Sequence, residues 1–521
     1  MGNNRDIAQA WRYHNATKHS FASVRDNPHT LDWANMPLLF KIYPTLEVTR
    51  LPRETRPTAV PALEAISAVP PFNKPPAALN LETLAHLLFL SAGITKSKKY
   101  PGGETFFRAA ACTGALYEIE LYLVTGELPD LPAGVYHFGV AEFGLRQLRA
   151  GDYRRVLIEA TANEASANVA PVLIVCTGTY WRNAWKYQAR TYRHFGWDNG
   201  TILANLLACT SALRLPARVL AGFLDEKVNR LLDLDTQREV AFSIVSVGSG
   251  DSGAPKSPEV KPLGLPLIPL SKTETDYPLM REMHAASSLD SSDDLKRWKR
   301  PSKKARAKLQ KRDGSSAGNR SGEKPGTIPL QPLDTAHLPS DPIEQVIVRR
   351  GSSRRFVHAP ISFAQLSTIL ERSARGIPAD FLMPFGAQLN DLYLIVNDVD
   401  GLAPGSYVYR RDNNSLELLR RGNFRKLAGY LGLEQSLPAD ASVAVFFLAN
   451  LNTTLERLGN RGYRAVQLEA GILGGKLYLA AYSQGVGATG LTFYDDDVVR
   501  FFSPHAEGKS AIFLVALGKS H

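Results

Sequence analysis

The chain repeats itself at a fixed interval, and this restricts what it can fold into more than any other feature. Leu131-Pro132-Ala133-Gly134-Val135-Tyr136 returns as Leu402-Ala403-Pro404-Gly405-Ser406-Tyr407. LRQLRAGDYR, from Leu145 to Arg154, returns as LELLRRGNFR, from Leu416 to Arg425. Arg190-Thr191-Tyr192-Arg193 with Gly200 returns as Arg461-Gly462-Tyr463-Arg464 with Gly471, and every pair is 271 positions apart. Two similar folds in one chain can pack as a built-in dimer, so a site that a homodimer forms twice can here be formed once.

At 521 residues the chain is long enough for two domains that each bury a core. Its 44% hydrophobic content is that of a globular protein. It has no apolar run of about 18 residues, so no membrane partner is expected. Met1-Gly2-Asn3-Asn4-Arg5-Asp6 lacks a signal-peptide core, and Asp6 argues against myristoylation. Cys112, Cys176 and Cys209 have no metal-type spacing and read as reduced thiols of a cytoplasmic protein, so no metal is expected. The net charge of +11 is concentrated: Lys296 to Lys324 holds twelve Lys or Arg against Asp313 and Glu323. That stretch, rich in Ser, Gly and Pro, reads as a solvated tether, and its confinement argues against a nucleic-acid surface.

The pattern along the chain predicts an arm over 1–60, a first domain over 61–250, a Pro/Ser/Gly-rich and basic linker over 251–335, and a second domain over 336–521. The arm is expected to wrap the first domain. Leucine spacing predicts helices at Leu81–Gly93, Tyr192–Leu213, Phe363–Ser373 and Tyr463–Gln484. Short apolar runs predict strands at Leu121–Val124, Val172–Val175, Phe242–Val247, Leu392–Val396, Val443–Leu448 and Ala511–Leu517. The expected class is α+β, with a mixed sheet covered by helices in each copy.

Arg350, Ser352 and Arg354 alternate just before the first helix of the second copy. Two guanidinium forks and a hydroxyl at that spacing can converge on one dianion such as a phosphate; the plainer reading of such a run is a solvated basic turn. With Phe356 and Pro360 the segment resembles the opening of the FMN-dependent nitroreductase fold, where this motif holds the flavin phosphate. Arg108-Ala109-Ala110-Ala111-Cys112-Thr113-Gly114-Ala115-Leu116-Tyr117-Glu118-Ile119-Glu120-Leu121-Tyr122 resembles the R-x-x-P-S-A-G-A-L-Y-P-x-E-L-Y stretch of the SagB/ThcOx branch, the azoline dehydrogenases of thiazole/oxazole-modified peptides. Here Ala111-Cys112 stands where that branch has Pro-Ser. Lys186-Tyr187 resembles the branch's catalytic pair, and Gly485 to Asp496, with Gly487-Ala488-Thr489-Gly490, resembles its segment under the flavin ring. Tyr13 to Ser20 also has the look of this branch.

The matching parts are divided. The first copy has Cys112-Thr113-Gly114 and Lys186-Tyr187 but no RxSxR, and reads Pro216-Ala217-Arg218-Val219 where the second has its glycine-rich turn. The second copy has Arg457-Leu458 in place of Lys186-Tyr187, and its loop reads Pro384-Phe385-Gly386-Ala387. The resemblance therefore implies two nitroreductase-like domains in an intramolecular pseudo-dimer, with one FMN between them and the opposite site empty. It implies flavin contacts from Arg350, Ser352, Arg354, Cys112, Thr113, Gly114, Gly487, Ala488, Thr489 and Gly490. Lys186, with its amine acidified by burial, is expected to be the base, and Tyr187 the proton donor or relay.

Gly485-x-Gly487-x-x-Gly490 matches a dinucleotide fingerprint, but it follows a long helix and leads into a strand, the reverse of what that fingerprint needs. Ser503 removes the first glycine from a P-loop at Gly508-Lys509-Ser510. His14, His19 and His29 read as surface or packing residues, and Cys112 as an inert thiol. The expected activity is an FMN-dependent dehydrogenase or oxidase acting on azolines of a modified peptide or related natural product, with other biosynthetic enzymes as candidate partners. The alternatives are an FMN oxidase for another small-molecule tailoring step, and a non-catalytic scaffold or peptide-binding subunit.

Overall fold

A computed structural model describes residues 4–26, 28–54, 57–73, 75–101, 103–250, 253–299, 326–384 and 386–520. The first half builds a seven-stranded sheet from Thr49–Arg50 (β1), Ile119–Thr125 (β2), Gly134–Gly139 (β3), Gly144–Ala150 (β4), Val172–Thr179 (β5), Ala217–Leu220 (β6) and Glu239–Val247 (β7), in the order β1-β4-β3-β2-β5-β7-β6. The second half uses Thr327–Pro329 (β8), Asn390–Val396 (β9), Gly405–Arg410 (β10), Ser415–Arg421 (β11), Val443–Ala449 (β12), Gly487–Leu491 (β13) and Ser510–Gly518 (β14), in the order β8-β11-β10-β9-β12-β14-β13. The two orders are the same topology. Register repeats as well: Tyr122 faces Val175 across β2 and β5, and Tyr393 faces Phe446 across β9 and β12. Every pairing described in these two sheets is antiparallel, which corrects the expected mixed sheet. Central strands such as β2 and β12 are buried along their whole length, which is why they read as continuous apolar runs rather than alternating ones.

Six helices position the site: Ala8–Ala16 (α1), Tyr180–Tyr187 (α2), Thr191–Ala212 (α3), Pro278–Ala286 (α4), Leu451–Leu458 (α5) and Arg461–Ser483 (α6). The long helices α3 and α6 pack on each other and are buried on nearly every side, as a helix at the centre of a large assembly must be. They cross at equivalent glycines. A Cβ on Gly200 would lie 2.5 Å from the Gly471 Cα, and one on Gly471 would lie 2.5 Å from the Trp197 carbonyl oxygen, so only glycine permits this approach.

The repeated Arg-x-x-Arg motif at the start of each long helix reaches across to the other half. Asp495 of the second half receives Arg190 Nη1 at 3.1 Å and Arg193 Nη1 at 2.6 Å. Asp225 of the first half receives Arg461 Nη1 at 2.7 Å and Arg464 Nη1 at 2.8 Å. None of these six side chains is more than 4% exposed. The arginines hold both carboxyls below their usual range against the opposing effect of burial, Asp225 down to about 2. The exchange is reciprocal, as at a two-fold interface.

The same clusters reveal a second arm. His14 and His284 each give a main-chain carbonyl to the second arginine of a motif, at 2.7 Å from Arg193 and 3.0 Å from Arg464. His19 N and Leu289 N each donate to an aspartate, at 2.8 Å to Asp495 and 2.9 Å to Asp225. Thus α1 and α4 are equivalents, and two expectations are corrected. Residues 278–299, read as linker, fold into α4 and the helix Ser292–Lys299, which buries Leu295 and Trp298. The N-terminal arm does not wrap only the first domain: Asn4 Nδ2 donates to the Leu458 carbonyl and Tyr13 Oη to the Ala189 carbonyl, so it sits across both halves. His14 is a packing residue, fully buried against Tyr463. Of the basic run, Lys296, Arg297 and Lys299 lie on that helix, while residues 300–325 lie outside the described residues.

Candidate active site

The Arg350–Arg354 segment leaves the helix Ile343–Arg349 in an extended conformation and lies along β13, where Ser353 N donates to the Ala488 carbonyl at 2.9 Å. Gly487 makes room for it, since a Cβ there would fall 2.4 Å from Ser353 Oγ. The three predicted anion ligands do not act alike. Arg350 is buried, and donates from Nε to the Ala109 carbonyl and from Nη2 to the Arg108 carbonyl, each at 3.0 Å. It is a clasp between the halves, not a free phosphate ligand, and burial draws its guanidinium below its ordinary value. Ser352 Oγ lies 3.3 Å from Tyr478 Oη, and the same phenol accepts the Gly490 N–H. Arg354 is exposed and has no hydrogen bond or ion pair among the described residues. Ser353 Oγ is buried and also without a partner among them.

From the first half, Thr113–Ala115 forms a single turn in which Gly114 has φ +66°. A Cβ there would meet Tyr187 Oη at 2.7 Å, so Tyr187 rests directly on the loop. Thr113 is not free to hold a cofactor through its own donors, because N and Oγ1 both donate to Asp198, at 2.8 and 2.9 Å. Cys112 Sγ lies 3.2 Å from an Asp198 oxygen and 3.5 Å from Glu118 Oε2. Burial, then those two carboxyls, pushes the thiol well above its ordinary value, in keeping with an unreactive cysteine.

Lys186 and Tyr187 are the last two residues of α2, whose turn onward is made by Gln188 at φ 51°. Lys186 is half-buried, not enclosed as expected, with Nζ 5.4 Å from the Tyr187 ring centroid. Burial pushes the Tyr187 phenol up, Asp198 adds to this, and Arg354 of the second half opposes it. Arg354 of the second half is thus within electrostatic range of Tyr187 of the first. His194 escaped sequence reasoning. It meets Tyr187 edge-on with ring centroids 4.8 Å apart, and its Nδ1 lies 2.7 Å from Asn183 Oδ1. No spacing rule marks it, since its relation to Tyr187 arises only when α3 folds back beside α2.

On the opposite side a segment of the second half approaches the first, beside a cavity of about 30 Å3 lined by Ala217, Ile377 and Pro378. Residues 377–382 lie along β6: Val219 N donates to the Pro378 carbonyl at 2.8 Å, and Asp380 N to the Val219 carbonyl at 3.0 Å. The Asp380 carboxylate takes the Ala221 and Gly222 N–H groups at 2.9 Å each, and Arg457, the counterpart of Lys186, donates to the Phe381 carbonyl. Burial pushes the Asp380 carboxyl up to about 6 against those two donors. An unfolded aspartate titrates near about 4, so the folded state holds this proton more tightly. Its contribution to stability is expected to fall as pH rises from there through about 6, and to stay level above. Urea unfolding of Asp380→Asn across that window should lack the decline; an unchanged slope would assign it to another group.

Residues 347–519 match the Nitroreductase family. A candidate nitroreductase of Methanocaldococcus jannaschii is 28% identical over 166 residues, covering 30% of this chain and 81% of that protein. The crystal structure of a candidate nitroreductase from Anabaena variabilis superposes with TM-score 0.75 and 23% identity, covering 98% of this chain and 99% of that one. No helix among the described residues is long and apolar enough to cross a membrane. Residues 347–519 are therefore similar to the Nitroreductase family, and the chain as a whole carries the nitroreductase fold.

Proposed function

We propose that the chain is an FMN-dependent dehydrogenase or oxidase, organised as an intramolecular pseudo-dimer with one cofactor between the halves. Its proposed substrate is an azoline-type heterocycle in a modified peptide or related natural product, which it would oxidise to an azole. The reading rests on Arg354 of one half lying within electrostatic range of the Tyr187 phenol of the other, with Lys186 beside that phenol. The residues fit a flat cofactor with an anionic tail. Arg354 has a guanidinium without a partner among the described residues, Ser352 and Ser353 offer hydroxyls, and Gly487 keeps the strand surface low. On the opposite side residues 377–382 pair with β6 and Arg457 stands in place of Lys186, which favours a single cofactor per chain. The substrate class rests on the resemblance of Arg108–Tyr122 and Lys186-Tyr187 to azoline dehydrogenases.

When bound, FMN supplies a two-electron acceptor for hydride. Arg354 and Ser352 would bind the anionic tail, while Arg350 fixes the spacing of the two halves through the Arg108 and Ala109 carbonyls. Lys186 Nζ would take the proton that leaves the ring as it becomes aromatic, and Tyr187 Oη would pass it on. The Gly114 turn and the His194 edge fix the Tyr187 ring from two sides.

The purified chain should show flavin absorbance and release one FMN per chain on denaturation. Incubated in air with an azoline peptide, it should give a product lighter by two hydrogens together with hydrogen peroxide. A colourless protein that takes up no added FMN would overturn the cofactor reading, while a yellow one that leaves azolines intact would overturn only the substrate. Arg354→Ala is expected to weaken FMN binding by about 10- to 100-fold, the loss of a charge-assisted hydrogen bond. Equilibrium dialysis reads this directly, and unchanged affinity would remove Arg354 from the site.

A further inference from the structure

We propose that Cys112, Glu118 and Asp198 form a binding site for a divalent transition metal, best suited to Zn2+. The three residues offer one sulfur and two carboxylate oxygens that all lie within 4.8 Å of one another. The measured edges are 3.2 Å from Cys112 Sγ to Asp198 and 3.5 Å to Glu118. Tetrahedral Zn2+, with bonds of about 2.3 Å to sulfur and about 2.0 Å to oxygen, requires a sulfur–oxygen edge of about 3.5 Å. A thiolate among the ligands disfavours Mg2+ and Ca2+, which take oxygen donors.

Three further observations point to an occupant. First, both carboxylates are fully enclosed, yet neither has a Lys, Arg or His ion-pair partner among the described residues. Of the other buried carboxylates, Glu120, Asp225, Glu239 and Asp495 have one, while Glu469, at the position equivalent to Asp198, has none among the described residues and is held by Leu389 N, Asn390 N and Asn390 Nδ2 instead. Two adjacent buried carboxylates need a positive charge between them, and a metal ion or a shared proton can supply it. Second, no amide, hydroxyl or cationic donor of the described residues reaches the buried Glu118 Oε1, and the Glu118 carboxyl lies within hydrogen-bonding distance of that of Asp198. Third, Cys112 and Asp198, though not Glu118, line a small cavity of about 10 Å3 with Arg108 and Tyr117 on one side of the cluster.

Every ligand also has a supporting donor. Tyr117 N donates to Cys112 Sγ at 3.0 Å, Thr113 N and Oγ1 donate to Asp198, and Asn183 Nδ2 donates to Glu118 Oε2 at 3.3 Å. Such outer contacts orient metal ligands. On binding, the ion displaces the thiol proton and the carboxyl proton into solvent, and Arg108 offsets the remaining negative charge. The ion would join the loop under Tyr187 to α3. The spacing 112, 118 and 198 matches no sequence rule, because the third ligand comes from a distant helix.

The full-length protein, stripped with chelator, is loaded with Co2+ or Zn2+, desalted and assayed for metal content. One ion per chain is expected, with the Co2+ form showing a thiolate-to-metal charge-transfer band in its difference spectrum against the metal-free protein. Cys112→Ser should abolish that band and Asp198→Asn should lower metal content at least ~10-fold, while Cys209→Ser should keep both. Wild-type protein that retains no ion, whatever the variants do, overturns the proposal in favour of a shared proton. A charge-transfer band that survives in Cys112→Ser overturns it as well. Metal content is read independently of colour, so this result and the FMN reading fail separately.

Discussion

Asp495→Asn is expected to destabilise the folded chain by about 3–5 kcal/mol, because it strands two buried guanidiniums without their countercharge. Among the described residues Arg190 and Arg193 have no second carboxylate within ion-pair distance, and the replacement amide offers one neutral acceptor where both carboxylate oxygens are used. Asp225→Asn should cost a similar amount, since Arg461 and Arg464 repeat the arrangement in the other direction. Denaturant unfolding of each variant checks this; a loss below about 1 kcal/mol, typical of an exposed ion pair, would mean that the pairs are solvated. The sign with pH follows from the carboxyls. Their folded values lie below that of an unfolded aspartate, so the stabilisation is complete above about pH 4 and is lost as pH falls through the folded values, about 2 for Asp225.

Lys186→Ala is expected to leave FMN content unchanged and to lower turnover by about 100- to 10,000-fold, the range for loss of a positioned general base. The contrast with Arg354→Ala is the informative part: one variant should lose cofactor, the other only chemistry. Single-turnover reduction of the loaded enzyme by substrate measures it. A rate within about threefold of wild type would transfer the role to Tyr187 or to solvent.

Much of the fold was legible because the repeat is literal. The offset of 271 runs through both sheets, and the long helices announced themselves by length and apolar content. The second arm was hidden for a physical reason. His284, Ser287 and Leu289 do the work of His14, Thr17 and His19, but through main-chain groups and a shared hydroxyl chemistry that different side chains can supply. The partners of the Arg-x-x-Arg motifs were invisible because no local pattern joins Arg190 to Asp495. At the candidate site, residue types were readable but their commitments were not. Arg350 is spent on two carbonyls and Thr113 on Asp198, while Arg354 and the Ser353 hydroxyl remain unengaged among the described residues. Sequence spacing reports which groups are near along the chain, not which have already found a partner.

The reciprocal Gly200–Gly471 contact has a consequence for how such a molecule can vary. In a homodimer every substitution is made twice, so nothing can be lost on one side and kept on the other. Covalent fusion releases the chain from that bookkeeping. Residues 377–382 pair with β6 of one lobe, and Arg457 stands in one lobe where the other has Lys186. What stays symmetric includes the contacts through which the two lobes touch.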